Sequence, residues 1–345
     1  MTITATTPRP VSNTGLTVTA LGVGTAPLGG LYTDVPRDQA LEMLETAWSR
    51  GIRYFDTAPM YGMTRSEHLV GHMLREKTGS YVLSTKVGRL MTNSRVGRRL
   101  PPEPPKNPLD PGWHNGLPFR EVFDYSYDAI MRSFDDSQQR LGLRRIDMLY
   151  VHDIGHVTHG EANAHHWKAL TKGGGFRALQ ELKAAGDIAG FGLGVNEWQI
   201  IREALEETDL DCCMLAGRYS LLDRDAEETF LPLAQKREVA LAIGGVYNSG
   251  ILAAKKDGRR KFNYADAPRH IINKVEALRC VCDDYDVPLA AAAIRFPIRH
   301  PAVTCVVIGA KTPAQLQQNI DWFGEELPES IWSDLDDAVA SAQLS

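Results

Sequence analysis

Short apolar runs alternate with helical patterns along most of the chain. Between most of the runs, apolar residues recur at i, i+3 and i+4, the spacing that places them on one face of a helix. The clearest helical pattern is "DQALEMLETAWSRG", in which Leu41, Leu44 and Trp48 share a face and Gly51 is a stop signal. The apolar runs have the length of buried strands, and they occupy residues 20–24, 53–55, 81–85, 147–151, 190–195, 212–216, 239–244 and 303–308.

Eight strand-and-helix units predict a single (β/α)8 TIM barrel domain over residues 1–345. A doubly wound sheet is the alternative, because "LGVGTAPLGG" begins like a dinucleotide-binding fingerprint with Gly22 and Gly24. The third glycine of that fingerprint is replaced by Pro27, and no acid follows a second strand at the usual distance. We therefore interpret this segment as the first barrel strand and a tight loop.

Two long loops interrupt the regular pattern. Residues 89–120 are rich in proline, and residues 248–268 follow the seventh strand. Loops of this length inside a compact domain are usually functional. Both belong to the C-terminal face, where a barrel keeps its active site, so we expect both to be active-site loops. At the start of the chain, residues 1–14 are expected to be flexible.

Composition and charge exclude several classes of function. A net charge of −5 and a pI near 6.1 give no sign of the basic surface that binds nucleic acid. No apolar stretch is long enough for a membrane span, and "MTITATTPRPVSNTG" lacks the apolar core of a secretory signal. Five cysteines, an odd count within apolar runs, are typical of reduced thiols in a cytoplasmic protein. The expected partner is a small-molecule substrate.

Titratable residues stand at the ends of three successive strands. Asp56 ends the second strand, Lys86 the third and His152 the fourth, while Tyr61 follows Asp56 on a loop. Strand ends on one face of a barrel converge, so we expect the four side chains to meet. A lysine cation beside a phenol lowers the phenol pKa, which would suit Tyr61 to proton transfer. Each residue alone has an ordinary explanation, such as a turn or a solvated strand end, but their joint placement favours a catalytic site.

The strings "FDTAPMYG", "STKVG" and "YVHD" resemble the Asp, Tyr, Lys and His tetrad of the aldo-keto reductase superfamily. The resemblance extends over about residues 15–322. It implies a (β/α)8 barrel that transfers hydride between a nicotinamide cofactor and a carbonyl or alcohol carbon. It also implies Tyr61 as the general acid/base, Lys86 and Asp56 as the residues that tune it, and His152 as the residue that orients the substrate oxygen.

The eighth strand leads into a helix start that suits an anion. In "VVIGAKTPAQLQQN", Thr312 is the candidate N-cap and Pro313 the first helical residue. The free N–H groups of such a start favour a phosphate, although an ordinary capped helix fits equally well. The resemblance implies that the adenosine end of the cofactor lies here, contacted by Gly309, Lys311, Thr312, Gln315 and Asn319.

Position 315 bears on the choice of cofactor. NADP-preferring relatives carry an arginine there that grips the 2′-phosphate, whereas this chain has Gln315. We therefore expect NAD as the preferred cofactor, with some use of NADP supported by Lys311. The resemblance also implies that Asn196 binds the carboxamide, that the usual glutamine is replaced near Ala216, and that the pyrophosphate is covered by Asn248, Ser249 and Gly250.

Further strings are similar to a bacterial subgroup that oxidises cyclic hemiacetals to lactones. "FDYSYDAIMRSFDDSQQRLGL" and "DMLYVHDIGHVTHG" resemble D-threo-aldose (L-fucose) 1-dehydrogenases and an NAD-dependent pyridoxal 4-dehydrogenase. We expect an aldose as the substrate. Pyridoxal oxidation, NADPH-dependent aldehyde reduction and a non-catalytic regulatory role are the alternatives. Candidate substrate contacts are Tyr32, Trp113, His114 and Trp198.

A dense group of histidines follows the fourth strand in "VHDIGHVTHGEANAHHW". Imidazoles at this density are common in zinc sites. No cysteine lies nearby, however, and no H-E-x-x-H motif occurs. We expect no metal, and we expect these histidines to line the substrate mouth or the surface.

Overall fold

A computed structural model describes residues 3–93, 112–256, 258 and 260–342. Its strands are β1 (Pro8–Pro10), β2 (Thr17–Thr19), β3 (Leu21–Gly24), β4 (Tyr54–Asp56), β5 (Val82–Val87), β6 (Arg89–Thr92), β7 (Arg120–Phe123), β8 (Met148–His152), β9 (Gly190–Val195), β10 (Cys212–Ala216), β11 (Ala240–Gly244), β12 (Lys261–Phe262), β13 (Ala265–Asp266) and β14 (Val303–Gly309). Eight of them form a closed parallel barrel in the order β10, β11, β14, β3, β4, β5, β8, β9. The predicted (β/α)8 barrel is confirmed, and each apolar run of the sequence overlaps one barrel strand.

Amphipathic helices cover the outside of the barrel. In α1, for example, Ala40, Met43, Leu44 and Ala47 form the buried face. Across the part of the chain that the structure describes, no helix is both long and apolar enough to cross a lipid bilayer. The α-helices are α1 (Arg37–Ser49), α2 (Arg65–Leu74), α3 (Tyr127–Leu141), α4 (His156–His159), α5 (Asn163–Leu170), α6 (Gly175–Ala185), α7 (Gln199–Glu207), α8 (Phe230–Lys236), α9 (Arg269–Asp284), α10 (Leu289–Arg295), α11 (Pro313–Gly324) and α12 (Ser330–Ser341).

Aromatic side chains fill the interior of the barrel. Tyr54 and Tyr150 are buried, and their hydroxyl oxygens are 3.1 Å apart. Tyr54 fits because Gly22 faces it from the neighbouring strand, where an added Cβ would lie 2.5 Å from the Tyr54 ring. Side chains rather than a pore therefore occupy the barrel, and this packed core supports the strand ends that carry the site.

The chain begins with a hairpin that covers the N-terminal end of the barrel. Strands β1 and β2 pair antiparallel, and Arg9 Nη2 donates to the Val303 carbonyl at 3.1 Å. Val11 and Val18 are buried against the side chains of the barrel interior. Where the sequence led us to expect a flexible segment over residues 1–14, the structure thus places Pro8–Pro10 in a strand paired with β2 and Val11 in the core.

Both long loops contain strands of their own. At the ends of the 89–120 loop, β6 pairs antiparallel with β7, while residues 94–111 lie outside the described residues. Within the 248–268 loop, β12 and β13 form a short hairpin. Trp113 from the first loop and Tyr264 from the second both line one cavity at the C-terminal end of the barrel.

Candidate active site

A buried ion pair joins two of the predicted residues. Lys86 Nζ donates to Asp56 Oδ1 at 2.9 Å, to Asp56 Oδ2 at 2.7 Å and to the Thr57 carbonyl at 2.9 Å. Ser84 Oγ donates a further hydrogen bond to Asp56 Oδ1 at 2.7 Å. Burial raises the pKa of Asp56, and the Lys86 ammonium opposes that rise. Because all three Lys86 donors are used within the protein, the ammonium is fixed in one position.

Tyr61 lies on the loop that follows β4. Lys86 Nζ is 4.8 Å from the centre of the Tyr61 ring, and the His152 ring stands edge-on to it with the centroids 5.9 Å apart. Gly62 permits this loop, since its φ is +63° and an added Cβ would lie 2.5 Å from the Gly29 carbonyl oxygen. The structure thus brings together the three residues predicted at strand ends, Asp56, Lys86 and His152, and the loop residue Tyr61; we call the four the tetrad.

The pKa of Tyr61 differs from the sequence expectation. Burial raises this pKa well above its usual value, the charges of Asp56 and Asp153 raise it further, and Arg89 opposes them. The pKa is therefore raised rather than lowered as the sequence led us to expect, because burial and the two carboxylates outweigh the charge of Lys86, whose donors are taken up by Asp56 and a backbone carbonyl. At neutral pH the resting side chain of Tyr61 is therefore a neutral phenol, which must lose its proton before it can act as a base.

His152 provides a neutral imidazole. Burial and the charges of Arg89 and Lys86 lower the pKa of His152 well below its usual value. Its Nδ1 is buried with no hydrogen-bond partner among the described residues, and its Nε2 lies 3.6 Å from Asp153 Oδ2. The Tyr125 hydroxyl donates to the His152 carbonyl at 2.8 Å, which holds the backbone in place. Such an imidazole can donate a hydrogen bond to a substrate oxygen without adding a charge.

Arg89, Glu121 and Asp153 form a charged network beside the tetrad that sequence reasoning missed. Arg89 Nη1 donates to Glu121 Oε2 at 2.8 Å, and Nη2 forms an ion pair with Asp153 Oδ2. Asp153 has a φ of +47°, and its N–H donates to the Gly194 carbonyl at 2.9 Å. Only the position of Asp153, directly after His152, gave a signal in the sequence. Arg89 and Glu121 are 32 residues apart, so no local pattern links them.

A cavity opens beside the tetrad and is lined in part by aromatic side chains. The ring centroid of Trp113 is 5.7 Å from that of Tyr61, and Trp113 Nε1 is buried with no partner among the described residues. Tyr264, at the turn between β12 and β13, also lines the cavity and stacks on Tyr32 with ring centroids 6.1 Å apart. The cavity therefore combines flat aromatic surfaces with titratable side chains. Other residues of the lining include Leu31, Met60, Asp153 and Met214.

The structure does not place two of the four predicted substrate contacts, Trp198 and His114, among the described residues that line the cavity. Trp198 is 8% exposed, stacks on Phe230 with centroids 6.0 Å apart, and donates from Nε1 to Asp225 Oδ2 at 2.8 Å. These contacts turn its indole into the outer helical layer. His114 is exposed and is not among the described residues that line the cavity. Its backbone holds the loop instead, by donating to the Gly30 carbonyl at 3.0 Å.

A second cavity continues from the first and forms a channel at the C-terminal end of the barrel. Asn196 Nδ2 donates to the Ala216 carbonyl at 2.9 Å, and both residues line the two cavities. Asn248 and Ser249 line the channel from a turn in which their φ values are +44° and +60°. Gly250 continues this turn with a φ of +93°, but it is not among the described lining residues. Much of the wall is backbone, supplied by Gly24, Gly217, Gly244, Gly245 and Gly309.

The start of α11 has the cap that the sequence predicts. Thr312 Oγ1 accepts from the Gln315 N–H at 3.1 Å, and Gln315 Oε1 accepts from the Lys311 N–H at 2.9 Å. Lys311 Nζ donates to Thr33 Oγ1 at 2.8 Å. Asn319 lies on the buried face of the same helix. The Gln315 amide is therefore part of the helix start, and Lys311 places a cation beside it.

The histidines that follow β8 pack on one another outside the cavity. The ring centroids of His159 and His166 are 4.1 Å apart, and the Tyr125 hydroxyl lies 2.9 Å from His159 Nε2. Burial and the neighbouring His166 lower the pKa of His159 to about 3. Within the described ranges, no group of three or more His, Cys, Asp or Glu side chains has the arrangement of a metal site.

A closed barrel with titratable side chains clustered at its C-terminal strand ends has the organisation of a (β/α)8 enzyme. The chain belongs to the aldo-keto reductase family, whose Aldo/keto reductase model matches residues 20–340. It is 66% identical over 327 residues to a pyridoxal 4-dehydrogenase from Microbacterium luteolum, covering 95% of this chain and 96% of that protein. It is 37% identical over 332 residues to a D-threo-aldose 1-dehydrogenase from a Pseudomonas species, covering 94% and 95%. These matches confirm the family and subgroup that the motifs indicated.

Solved structures share the fold at lower sequence identity. A glycerol dehydrogenase from Gluconobacter oxydans superposes with a TM-score of 0.75 at 20% identity, over 98% of this chain and 96% of that one. An aldo-keto reductase from Bacillus halodurans gives a TM-score of 0.72 at 23% identity, over 96% of both chains. These similarities support the barrel architecture across nearly the whole chain.

Proposed function

We propose that this protein oxidises the cyclic hemiacetal of pyridoxal to the corresponding lactone, with NAD as the electron acceptor. The observation that carries the proposal is that Trp113 and Tyr264 line the same cavity as Tyr61. A planar pyridine ring can pack against such aromatic surfaces. The 66% identity to a pyridoxal 4-dehydrogenase supports the same substrate. Together they favour pyridoxal over the aldose that the sequence alone led us to expect.

The tetrad supplies the proton chemistry of this oxidation. The reaction removes a hydride from the hemiacetal carbon and a proton from its hydroxyl, which leaves the lactone carbonyl. A nicotinamide, when bound, provides the hydride acceptor. Tyr61 takes the hydroxyl proton, and His152 donates a hydrogen bond to the same oxygen. Lys86, held by Asp56, places a fixed positive charge 4.8 Å from the Tyr61 ring and stabilises the phenolate that acts as the base.

The channel beside the tetrad suits an extended dinucleotide. Its glycine-rich walls bring backbone atoms to the surface, and an added Cβ at Gly217 would meet no protein atom within 4 Å. In this proposal Asn196 holds the carboxamide next to the tetrad. The turn of Asn248 and Ser249 covers the pyrophosphate, and the start of α11 holds the adenosine.

The start of α11 favours NAD over NADP in this proposal. A 2′-phosphate is held best by a guanidinium, which can donate two parallel hydrogen bonds. Gln315 offers none, and its Oε1 is already bonded to the Lys311 N–H. Lys311 supplies a positive charge that supports limited use of NADP.

Oxidation of a D-threo-aldose such as L-fucose is the second candidate. The 37% identity to a D-threo-aldose 1-dehydrogenase favours it, and a pyranose presents the same hemiacetal group to the tetrad. Trp113 can pack against the apolar face of a sugar as well as against a pyridine. An NADPH-dependent aldehyde reductase is less well supported because of Gln315, and a non-catalytic role is less well supported because the tetrad is complete.

The proposal is tested by following NAD reduction with pyridoxal and with L-fucose as substrates. We expect NADH formation with pyridoxal at a higher kcat/KM than with L-fucose, and a product with the mass of the lactone. Tyr61→Phe should abolish turnover while NAD binding, followed by quenching of protein fluorescence, is unchanged. Absence of NADH formation with both compounds would reject the proposed function, and a higher kcat/KM for L-fucose would support the second candidate.

A further inference from the structure

We infer that Asp153 binds a second hydroxyl group of the substrate, the one nearest to the reacting hydroxyl. The inference rests on the proposed function and adds a rule of substrate selection to it. Hemiacetals that carry a neighbouring hydroxyl are preferred to those that lack one. The rule applies to pyridoxal and to aldoses alike.

The position of Asp153 relative to His152 supports this inference. Asp153 lines the cavity together with Tyr61 and His152, and its Oδ2 lies 3.6 Å from His152 Nε2. A substrate oxygen that accepts a hydrogen bond from His152 Nε2 lies about 3 Å from that atom. The Asp153 carboxylate is therefore close enough to bind an adjacent group of the same molecule.

The surroundings of Asp153 determine which kind of group it can bind. Its side chain contacts Arg89 and His152 through Oδ2, which leaves Oδ1 without a partner among the described residues. An ionised carboxylate accepts hydrogen bonds and donates none, so the substrate must supply a donor. Arg89 is 1% exposed and is not among the described lining residues, so it holds the carboxylate without touching the substrate.

Both candidate substrates carry a donor in the required place. In the hemiacetal of pyridoxal, the ring hydroxyl stands on the carbon next to the one that bears the reacting group. In an aldose, the C2 hydroxyl is next to the anomeric carbon. A hydroxyl donating to a carboxylate makes a charge-assisted hydrogen bond, stronger than one between neutral groups.

The test pairs a protein variant with substrates that lack the hydroxyl. The kcat/KM is measured for pyridoxal and 3-deoxypyridoxal, and for L-fucose and 2-deoxy-L-fucose, with wild type and Asp153→Asn. Of the two pairs, the one that the wild type oxidises with the higher kcat/KM is decisive. In that pair we expect kcat/KM for the deoxy compound to be about 10- to 100-fold lower than for the hydroxylated compound. Asp153→Asn should lower kcat/KM for the hydroxylated compound by a similar factor and leave that for the deoxy compound nearly unchanged.

Glu121→Gln is the matched control. It also removes a carboxylate partner from Arg89, at 2.8 Å, but Glu121 is not among the described residues that line the cavity. We expect this variant to keep the wild-type preference for the hydroxylated compound. If it loses the preference as Asp153→Asn does, the effect comes from disturbing Arg89 and the inference is overturned.

The remaining outcomes separate the inference from the proposed function. If the wild type oxidises both members of a pair equally well, the function stands and the inference is overturned, even if Asp153→Asn does not fold. Equal losses on both members of the pair with Asp153→Asn would also overturn it. If the wild type oxidises none of the four compounds, the proposed function fails and the inference fails with it.

Discussion

The Asp56 carboxylate and the Lys86 ammonium are buried against each other, each about 2% exposed. Replacing Lys86 with methionine leaves the carboxylate without its partner, so we expect the free energy of unfolding to fall by about 3–5 kcal/mol. Asp56→Asn combined with Lys86→Met should cost less than the two single losses added together. Urea denaturation measures these values. An exposed pair is the control: Arg132, 3.5 Å from Asp136, should tolerate methionine within about 0.5 kcal/mol. If the loss in the double variant equals the sum of the two single losses, the two side chains do not stabilise each other and the prediction is wrong.

The raised pKa of Tyr61 predicts a pH dependence for the two directions of reaction. Oxidation needs the phenolate, whose fraction grows with pH, so kcat/KM should rise about tenfold per pH unit from neutral into the alkaline range. Reduction needs the phenol and should stay flat over the same range. His152 adds no break at neutral pH, because its pKa is lowered. An oxidation rate that reaches a plateau at or below pH 10 would show that the pKa of Tyr61 is not raised.

At the residue scale, the sequence predicts a side chain's place when the strand alone determines it. Asp56, Lys86 and His152 could be predicted because each lies at or next to the end of a barrel strand, where the backbone fixes its direction. Trp198 could not, because Phe230 and Asp225 draw its indole into the helical layer. The pKa of Tyr61 could not either, because it depends on burial that no local pattern reveals.

At the element scale, the start of α11 predicts how cofactor preference can be changed. Gln315→Arg places a guanidinium beside the cap, so we expect the ratio of kcat/KM for NADP to that for NAD to rise at least tenfold. Gln318→Arg is the matched control, since it adds the same charge to the same helix one turn further from the cap. Steady-state kinetics with both cofactors measures the ratio. An equal change with both variants would indicate a general charge effect.

The β12–β13 hairpin predicts a contribution of Tyr264 to substrate choice. Tyr264→Ala removes an aromatic surface from the cavity, so we expect kcat/KM for pyridoxal to fall about tenfold. Tyr264→Phe keeps the ring and should retain most of the activity. The loss with L-fucose should be smaller, because a pyranose offers less flat surface. Equal losses with both substrates would mean that Tyr264 shapes the cavity without recognising the ring.

Elements were predictable from sequence to different degrees. The eight barrel strands are buried on both faces and appear as continuous apolar runs, which made the barrel visible. The hairpin of β1 and β2 was missed because each strand has three residues and β1, "PRP", lacks an apolar pattern. Its contribution to the core depends on Val11 and Val18, which meet the barrel interior only after folding.

At the scale of the whole molecule, the barrel separates the side chains of its packed interior from those of the candidate active site. The β1–β2 hairpin and the side chains around Tyr54 and Tyr150 fill the N-terminal end and the interior. The tetrad and both cavities lie at the C-terminal end. We therefore expect the two ends to tolerate substitution independently, since energetic effects at distant sites usually add.

The central claim is that hydride leaves the hemiacetal carbon while Tyr61 takes the proton from the adjoining hydroxyl. Pyridoxal deuterated at its aldehyde carbon, which becomes the hemiacetal carbon, tests this most directly. Mass spectrometry of both products follows the label. The account predicts one deuterium in the reduced cofactor and a lactone that carries none. Deuterium retained in the product, or reduced cofactor without the label, would contradict it.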